Sequence, residues 1–257
     1  MAKAFAEQGM NLALADIDGE RLSQIEQELV HSGARIKTYV VDVTDKEAVS
    51  QAVTDAFEYF GSLHIVCANS GVCGTLGPLD QATVEDWDWI IDVNLKGSAY
   101  VIQAALPFLM KHPGDAHIVI TSSISGLRVY EPSRGQGIYN MTKYGLVGLG
   151  EALKVDMALH DIGVSILCPG VVNTDFSNSG KNRPQKYGGA IETNGNHEMA
   201  KAAGSGTDPV QFGRWVINAI EQNQLYVITH PQDRELVEIR LTNIMAAFDD
   251  SENLTGT

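Results

Sequence analysis

The sequence predicts an α/β fold: one parallel sheet, doubly wound, with helices on both faces. Three observations carry this. Short apolar runs, such as Asn11 to Ala15 and His117 to Thr121, lack polar alternation, as strands buried on both faces do. Between them lie stretches with apolar residues at helical spacing, of which Leu22, Ile25 and Leu29 form one stripe. The two kinds of segment alternate along the chain, which calls for parallel strands joined by crossover helices.

The elements follow in order. Met1 to Gln8 reads as the end of a helix, stopped by Gly9. A strand opens at Asn11 and ends at Asp16, a helix runs from Gly19 to Ser32, and a strand from Arg35 to Val43. Lys46 to Phe60 is a helix and Leu63 to Ala68 a short strand. Val84 to Leu109 is helical, in one or two pieces. A strand at His117–Thr121 precedes a long helix over Ile138–His160, and Val164–Cys168 is the next strand. Residues 177–207, rich in Gly, Asn, Ser and Lys, read as a loop carrying at most a short helix. Pro209–Gln222 is a helix, Leu225–Thr229 the last strand and Asp233–Phe248 the last helix, with a frayed tail after it. This is a Rossmann-like pattern. With 257 residues and no linker composition, the chain reads as one domain, 1–257.

A net charge of −14 disfavours nucleic acid and anionic membrane as partners. No apolar run approaches the length of a membrane span, and no basic segment followed by an apolar one opens the chain. Cys67, Cys73 and Cys168 are odd in number and contain no CxxC pair. They read as reduced thiols of a cytoplasmic protein, with no disulfide framework and no metal site.

The chemistry sits in three stretches: Ile118-Val-Ile-Thr-Ser-Ser123, Tyr139-Asn-Met-Thr-Lys143 and Cys168-Pro-Gly-Val-Val-Asn-Thr174. A lone YxxxK is a weak signal and reads equally well as a solvated helix pair. Here it opens a long helix just after an apolar strand ending in Ser-Ser, and four-residue spacing puts both side chains on one helix face. Hydride transfer to a ketone leaves an alkoxide that must take a proton. A free phenol (pKa ~10) is a poor base at neutral pH. An ammonium about 4 Å away contributes roughly 4 kcal/mol at an effective dielectric of ~20, about three pKa units. Lys143 is therefore expected to lower Tyr139, with Tyr139 as general acid/base and Ser123 donating to the substrate oxygen.

With these motifs the chain resembles the short-chain dehydrogenase/reductases over nearly its whole length. Tyr139 and Lys143 match that family's Tyr-x-x-x-Lys, and Ser123 in Ser-Ile-Ser-Gly matches its serine. Asn94, in Asp92-Val-Asn-Leu-Lys-Gly97, matches the asparagine that holds a proton-relaying water in the family. Arg128 to Gly137 makes the stretch before Tyr139 longer than usual, which leaves Ser122 and Ser125 as alternative serines. Ala68-Asn-Ser-Gly71 resembles Asn-Asn-Ala-Gly at two of four positions, placing Asn69 and Gly71 against the adenosine side of a cofactor. Asp42-Val43 resembles the pair at the adenine ring, and is equally natural before the N-cap of a helix. Pro169 to Thr174 resembles Pro-Gly-x-Val-x-Thr, so Gly170, Val172 and Thr174 are expected at the nicotinamide carboxamide. Asp16, at the end of a strand, is expected to accept from the ribose 2′-hydroxyl and to repel a 2′-phosphate, favouring NAD over NADP.

The resemblance implies a secondary alcohol or ketone as small-molecule substrate. Its pocket would be lined by the stretch after Gly71, by 127–138 with Val129 and Tyr130, and by the 177–207 substrate loop with Phe176 beside it. It also implies a homodimer or homotetramer built on helices near 88–110 and 138–160. Trp87 and Trp89 read as packing or interface residues. The family's first strand and its Thr-Gly-x-x-x-Gly-x-Gly loop have no counterpart before Gly9. This reads as a truncated copy or a start at an internal methionine. The alternative is a non-catalytic binding or scaffold protein that has lost its phosphate loop, against which all four catalytic positions are filled.

Overall fold

The computed structural model describes residues 1–74, 77–129, 136–191 and 204–255, with side chains through residue 251. Its strands are β1 (Leu12–Asp16), β2 (Ile36–Val40), β3 (Ile65–Ala68), β4 (Ala116–Thr121), β5 (Ile162–Cys168) and β6 (Tyr226–Ile228). The helices are α1 (Ala2–Glu7), α2 (Gly19–Leu29), α3 (Lys46–Phe60), α4 (Val84–Ile91), α5 (Ser98–Leu109), α6 (Gly137–Ala158), α7 (Pro209–Glu221) and α8 (Arg234–Thr255). All strand pairs are parallel, as the continuous apolar runs require.

The sheet comes in two hydrogen-bonded pieces, β1–β2 and β3–β4–β5–β6. Side chains of the central strand β4 alternate between two cores. Ile118 and Ile120 enter a cluster with Ile102, Leu109, Leu146 and Leu153 from α5 and α6. Val119 points the other way and meets Phe5, Leu12, Phe212 and Val216 from α1, β1 and α7. Helices therefore cover both faces. Asp18 caps α2 through Arg21 N–H, Asp45 caps α3 through Ala48 N–H, and Thr83 with Asp86 closes a capping box on α4.

Two expectations need correction, the strand bounds and the end of the last helix, and two stretches gain detail. Strands expected over Arg35–Val43 and Leu63–Ala68 shorten to Ile36–Val40 and Ile65–Ala68, because Asp42 turns back to cap Thr44 and Gly61 ends α3 in a left-handed turn. The helical stretch 84–109 stays continuous through a wide π-type turn, Asp92–Gly97, between α4 and α5. The last helix does not fray at Asp249: α8 continues to Thr255, with no Gly or Pro to stop it before Gly256. Residues 177–191, expected as loop, carry two 3₁₀ turns, Asp175–Asn182 and Gln185–Tyr187. Tyr130 and the 192–203 part of the expected substrate loop lie outside the described residues.

Candidate active site

The carboxyl ends of the parallel strands bring the expected residues to one edge, where open α/β sheets hold ligands. Asp16 closes β1. Asp42 and Val43 follow β2, Asn69 and Gly71 follow β3, Ser123 follows β4, and Gly170, Val172 and Thr174 follow β5. Tyr139 and Lys143 lie in the first two turns of α6, which packs against the turn after Ser123.

Lys143 is 2% exposed. Its Nζ donates to Thr121 C=O at 3.0 Å and lies 5.5 Å from the centroid of the Tyr139 ring. Ser123 is hydrogen-bonded to Tyr139 through its side chain. The three groups therefore form one cluster. Of the alternative serines, Ser122 is turned away, its hydroxyl donating to Lys143 C=O at 2.8 Å, and Ser125 donates its N–H to Ser123 Oγ at 3.1 Å. Of the three serines, Ser123 is the one hydrogen-bonded to Tyr139.

The electrostatics depart from expectation. Tyr139 is not lowered: burial pushes its phenol up to about 12, while the Ser123 hydrogen bond pulls weakly the other way. Burial also lowers Lys143 to about 8. The expectation placed the ammonium in a partly hydrated setting and counted only its attraction. Here Lys143 is buried and Tyr139 half-buried, and removing a charged form from water costs more than one neighbour at this distance returns.

Asn94 is fully buried in the π turn, whose extra width aims it inward. Its Oδ1 accepts from Val72 N–H at 2.8 Å, and its Nδ2 donates to Val72 C=O at 3.0 Å and to Thr142 Oγ1 at 3.1 Å. Gly71 lies against this group: a methyl there would sit 3.3 Å from Asn94 Oδ1 and 3.4 Å from Lys143 Nζ. Phe176 places its ring 5.9 Å from that of Tyr139.

The outlying positions are also placed. Asp16 is exposed and accepts Asp18 N–H at 2.9 Å. Arg21 is engaged by Asp18 at 3.4 Å and by Asp175. Asp42 is bound by Thr44 and, at 3.3 Å, by Lys186, and those hydrogen bonds hold its carboxyl below the usual range despite burial. Val43 packs on Gly97, where an added methyl would meet it at 2.8 Å. Asn69 accepts from the Thr121 hydroxyl at 3.0 Å. Val172 bridges to Thr207, and Thr174 is exposed just before the first 3₁₀ turn.

Sequence reasoning missed the contacts that seat residues 175–191 on this edge. Arg183 pairs with Asp86 at 2.7 Å, both buried, and stacks 5.2 Å from the Trp89 ring. Tyr187 donates to Asp92 at 2.7 Å, Lys186 reaches Thr44 at 2.7 Å, and Ser179 Oγ accepts Cys73 N–H at 3.2 Å. Nothing in the local sequence marks these partners, which lie 95 to 142 residues away.

A model of the short chain dehydrogenase family matches residues 1–185. The chain belongs to the short-chain dehydrogenases. It is similar to the CLA biosynthesis dehydrogenase/reductase of Lactiplantibacillus plantarum, at 30% identity over 95% of this chain and 88% of that one. It is also similar to the C alpha-dehydrogenase of Sphingobium sp., at 29% identity over 92% of this chain and 78% of that one. Among solved structures, a short chain dehydrogenase/reductase from Burkholderia phymatum in complex with NAD superposes with a TM-score of 0.88, at 30% identity and over 95% and 90% of the two chains. The chain is thus a member of an oxidoreductase family whose structures include complexes with a nicotinamide cofactor. Among the described residues no helix is long and apolar enough to cross a membrane, and no group of His, Cys, Asp or Glu is arranged to hold a metal ion.

The donor set can be tested for fit to such a cofactor. A buried ammonium has three N–H donors. Among the described residues Lys143 has one hydrogen-bond acceptor, Thr121 C=O, and its Nζ stands beside the side-chain-free face of Gly71. A ligand carrying hydroxyl oxygens at that place would meet the remaining donors. The residues present fit the ribose end of a nicotinamide cofactor.

Proposed function

We propose that the protein moves a hydride between NAD(H) and a secondary alcohol or ketone. The observation that carries the reading is the single cluster of Ser123, Tyr139 and Lys143, of which Ser123 and Lys143 are buried and Tyr139 half-buried, with Asn94 and Gly71 beside it. Bound nicotinamide supplies or accepts the hydride. In the reducing direction Tyr139, held protonated by burial, gives its proton to the carbonyl oxygen as the C–H bond forms. Ser123 donates to the same oxygen and steadies its developing charge. Lys143 holds the cofactor ribose and keeps a positive charge near the phenolate left behind.

Asp42, Val43, Asn69 and Gly71 line the adenosine side in this reading, and Gly170, Val172 and Thr174 the carboxamide side. Asp16 favours NAD over NADP. Arg21 supports that preference, since two carboxylates already occupy the one arginine that could meet a 2′-phosphate from this turn. Phe176 against Tyr139 favours an apolar or aromatic carbonyl. The whole chain works as one domain with 177–191 beside the substrate, as a dimer or tetramer in the cytoplasm.

The test is calorimetric titration of NADH and NADPH, with turnover of an aryl ketone followed by loss of NADH absorbance. NADH should bind more tightly than NADPH, and Asp16→Ala should narrow the gap. Tyr139→Phe should bind NADH as the wild type does and turn over at least a thousandfold more slowly, on the order expected for loss of an acid/base group. Undiminished turnover by Tyr139→Phe would refute its role.

A further inference from the structure

His230 follows β6 at the same edge of the sheet, and neither the motif pattern nor the spacing of charged residues singles it out. Its Nδ1 accepts the N–H of Gly170 at 3.0 Å. A backbone N–H can only donate, so Nδ1 is unprotonated and the ring proton sits on Nε2. The Thr229 hydroxyl lies 2.8 Å from the same nitrogen. The ring also fills the space in front of Gly170: a methyl at that position would lie 2.5 Å from His230 Cγ. Pro231 follows directly and keeps His230 out of the helical region, at φ −128° and ψ 83°.

The peptide that His230 grips is the one linking Pro169 to Gly170. Its other pole is the Pro169 carbonyl, which accepts Ile124 N–H at 2.9 Å and the Ser123 hydroxyl at 3.4 Å. A peptide unit is planar, so fixing its N–H fixes its carbonyl. Ser123 is thus bound on one side to a peptide whose far side is anchored by His230. The turn Pro231–Asp233 adds a second tie, Asp233 pairing with Arg128 just past the Ser123 turn. The end of β6 therefore braces the ends of β4 and β5 together.

We propose that His230 is a positioning residue of the active site: it locks the Pro169–Gly170 peptide and so sets both the Ser123 hydroxyl and the backbone that faces the nicotinamide. The inference rests on the cofactor reading above. Asparagine carries its Oδ1 the same number of bonds from Cα as the Nδ1 of histidine, so His230→Asn keeps an acceptor while His230→Leu removes it at similar bulk. NADH affinity by calorimetry, Gly170 amide exchange by NMR and thermal unfolding are measured on all three proteins.

His230→Leu should weaken NADH binding roughly tenfold, the effect of one lost hydrogen bond. It should also speed Gly170 exchange by a similar factor while lowering the melting temperature by only a few degrees, with His230→Asn restoring both. NADH affinity unchanged in His230→Leu overturns the proposal. So does a loss that follows the melting temperature and that asparagine fails to rescue, since that marks a packing role only. Failure of the wild type itself to bind NADH or NADPH overturns the cofactor reading and the positioning role with it. That result is told apart from failure of the inference alone, which shows only in the variants.

Discussion

Asn94 offers the sharpest check on how the site is built. The family resemblance gives it a water to hold, whereas the geometry gives it a structural task that precedes any chemistry. With no exposed surface, it satisfies both backbone groups of Val72 and the Thr142 hydroxyl. Asn94→Ala strands Val72 N–H and C=O in a place water reaches poorly. Each buried polar group left unpaired costs about 1–3 kcal/mol, and the Thr142 hydroxyl keeps its bond to Tyr139 C=O, so two groups count fully. The expected loss is about 3 kcal/mol, or a fall of roughly 10 °C in melting temperature for a chain of this size. Urea unfolding at neutral pH reads it: the midpoint should drop while the slope stays constant, since the surface exposed on unfolding is unchanged. A loss below about 1 kcal/mol would refute the reasoning, because it would mean that the Val72 groups find other partners.

Three further outcomes follow from the packing. Burial, more than the nearby Lys154, lowers His117 to about 4, so the unfolded chain binds the extra proton between its ordinary pKa and that value. Stability from this group is full above about pH 6.5 and falls by about 3 kcal/mol as pH drops toward 4; urea midpoints for wild type and His117→Gln across that window should converge at the acid end. Gly150→Ala would overlap Ile166 Cγ1, lie 2.6 Å from its Cδ1, and press a buried strand that has no room to yield. Overpacking of about 1–3 kcal/mol should outweigh the ~1 kcal/mol helix gain, giving a net lower midpoint. Arg183→Met leaves Asp86 buried without its cation and should cost roughly 3–5 kcal/mol, with Asp86→Asn in the same chain recovering part of it on thermal unfolding.

The sheet was legible because buried parallel strands are short and apolar, and Ile118 to Thr121 and Val164 to Cys168 stand out against their surroundings. The Tyr139–Lys143 pair was legible because helical spacing alone fixes a shared face. The π turn was not: Asp92 to Gly97 has ordinary helical composition, and the wide turn is stabilised by Val72 and Val43 reaching it from other segments. Nor was the extent of α8, whose Asp249-Asp-Ser stretch has no apolar period and yet nothing to end a helix. Arg183, Lys186 and His230 were invisible for a different reason. Each acts on a partner at least 60 residues away, and a charged or polar residue in a loop looks solvated until the fold shows what it faces.

The same reasoning explains why the motif led to the opposite electrostatic sign at Tyr139. Spacing fixes which groups meet, whereas a pKa depends on how much water they lose in meeting. Raising the phenol from ~10 to about 12 is roughly 3 kcal/mol in favour of the protonated form. That keeps Tyr139 in its proton-bearing form at neutral pH in the unliganded cleft, while making the phenol a weaker acid than free tyrosine. Against burial works the hydroxyl of Ser123, whose single proton favours the ionised form when it turns from the Pro169 carbonyl to the phenolic oxygen. Ser123 therefore acts on the tyrosine as well as on any substrate oxygen. Because its own position is set through the Pro169 carbonyl, the proton affinity of Tyr139 is coupled to the backbone of the adjacent strand end.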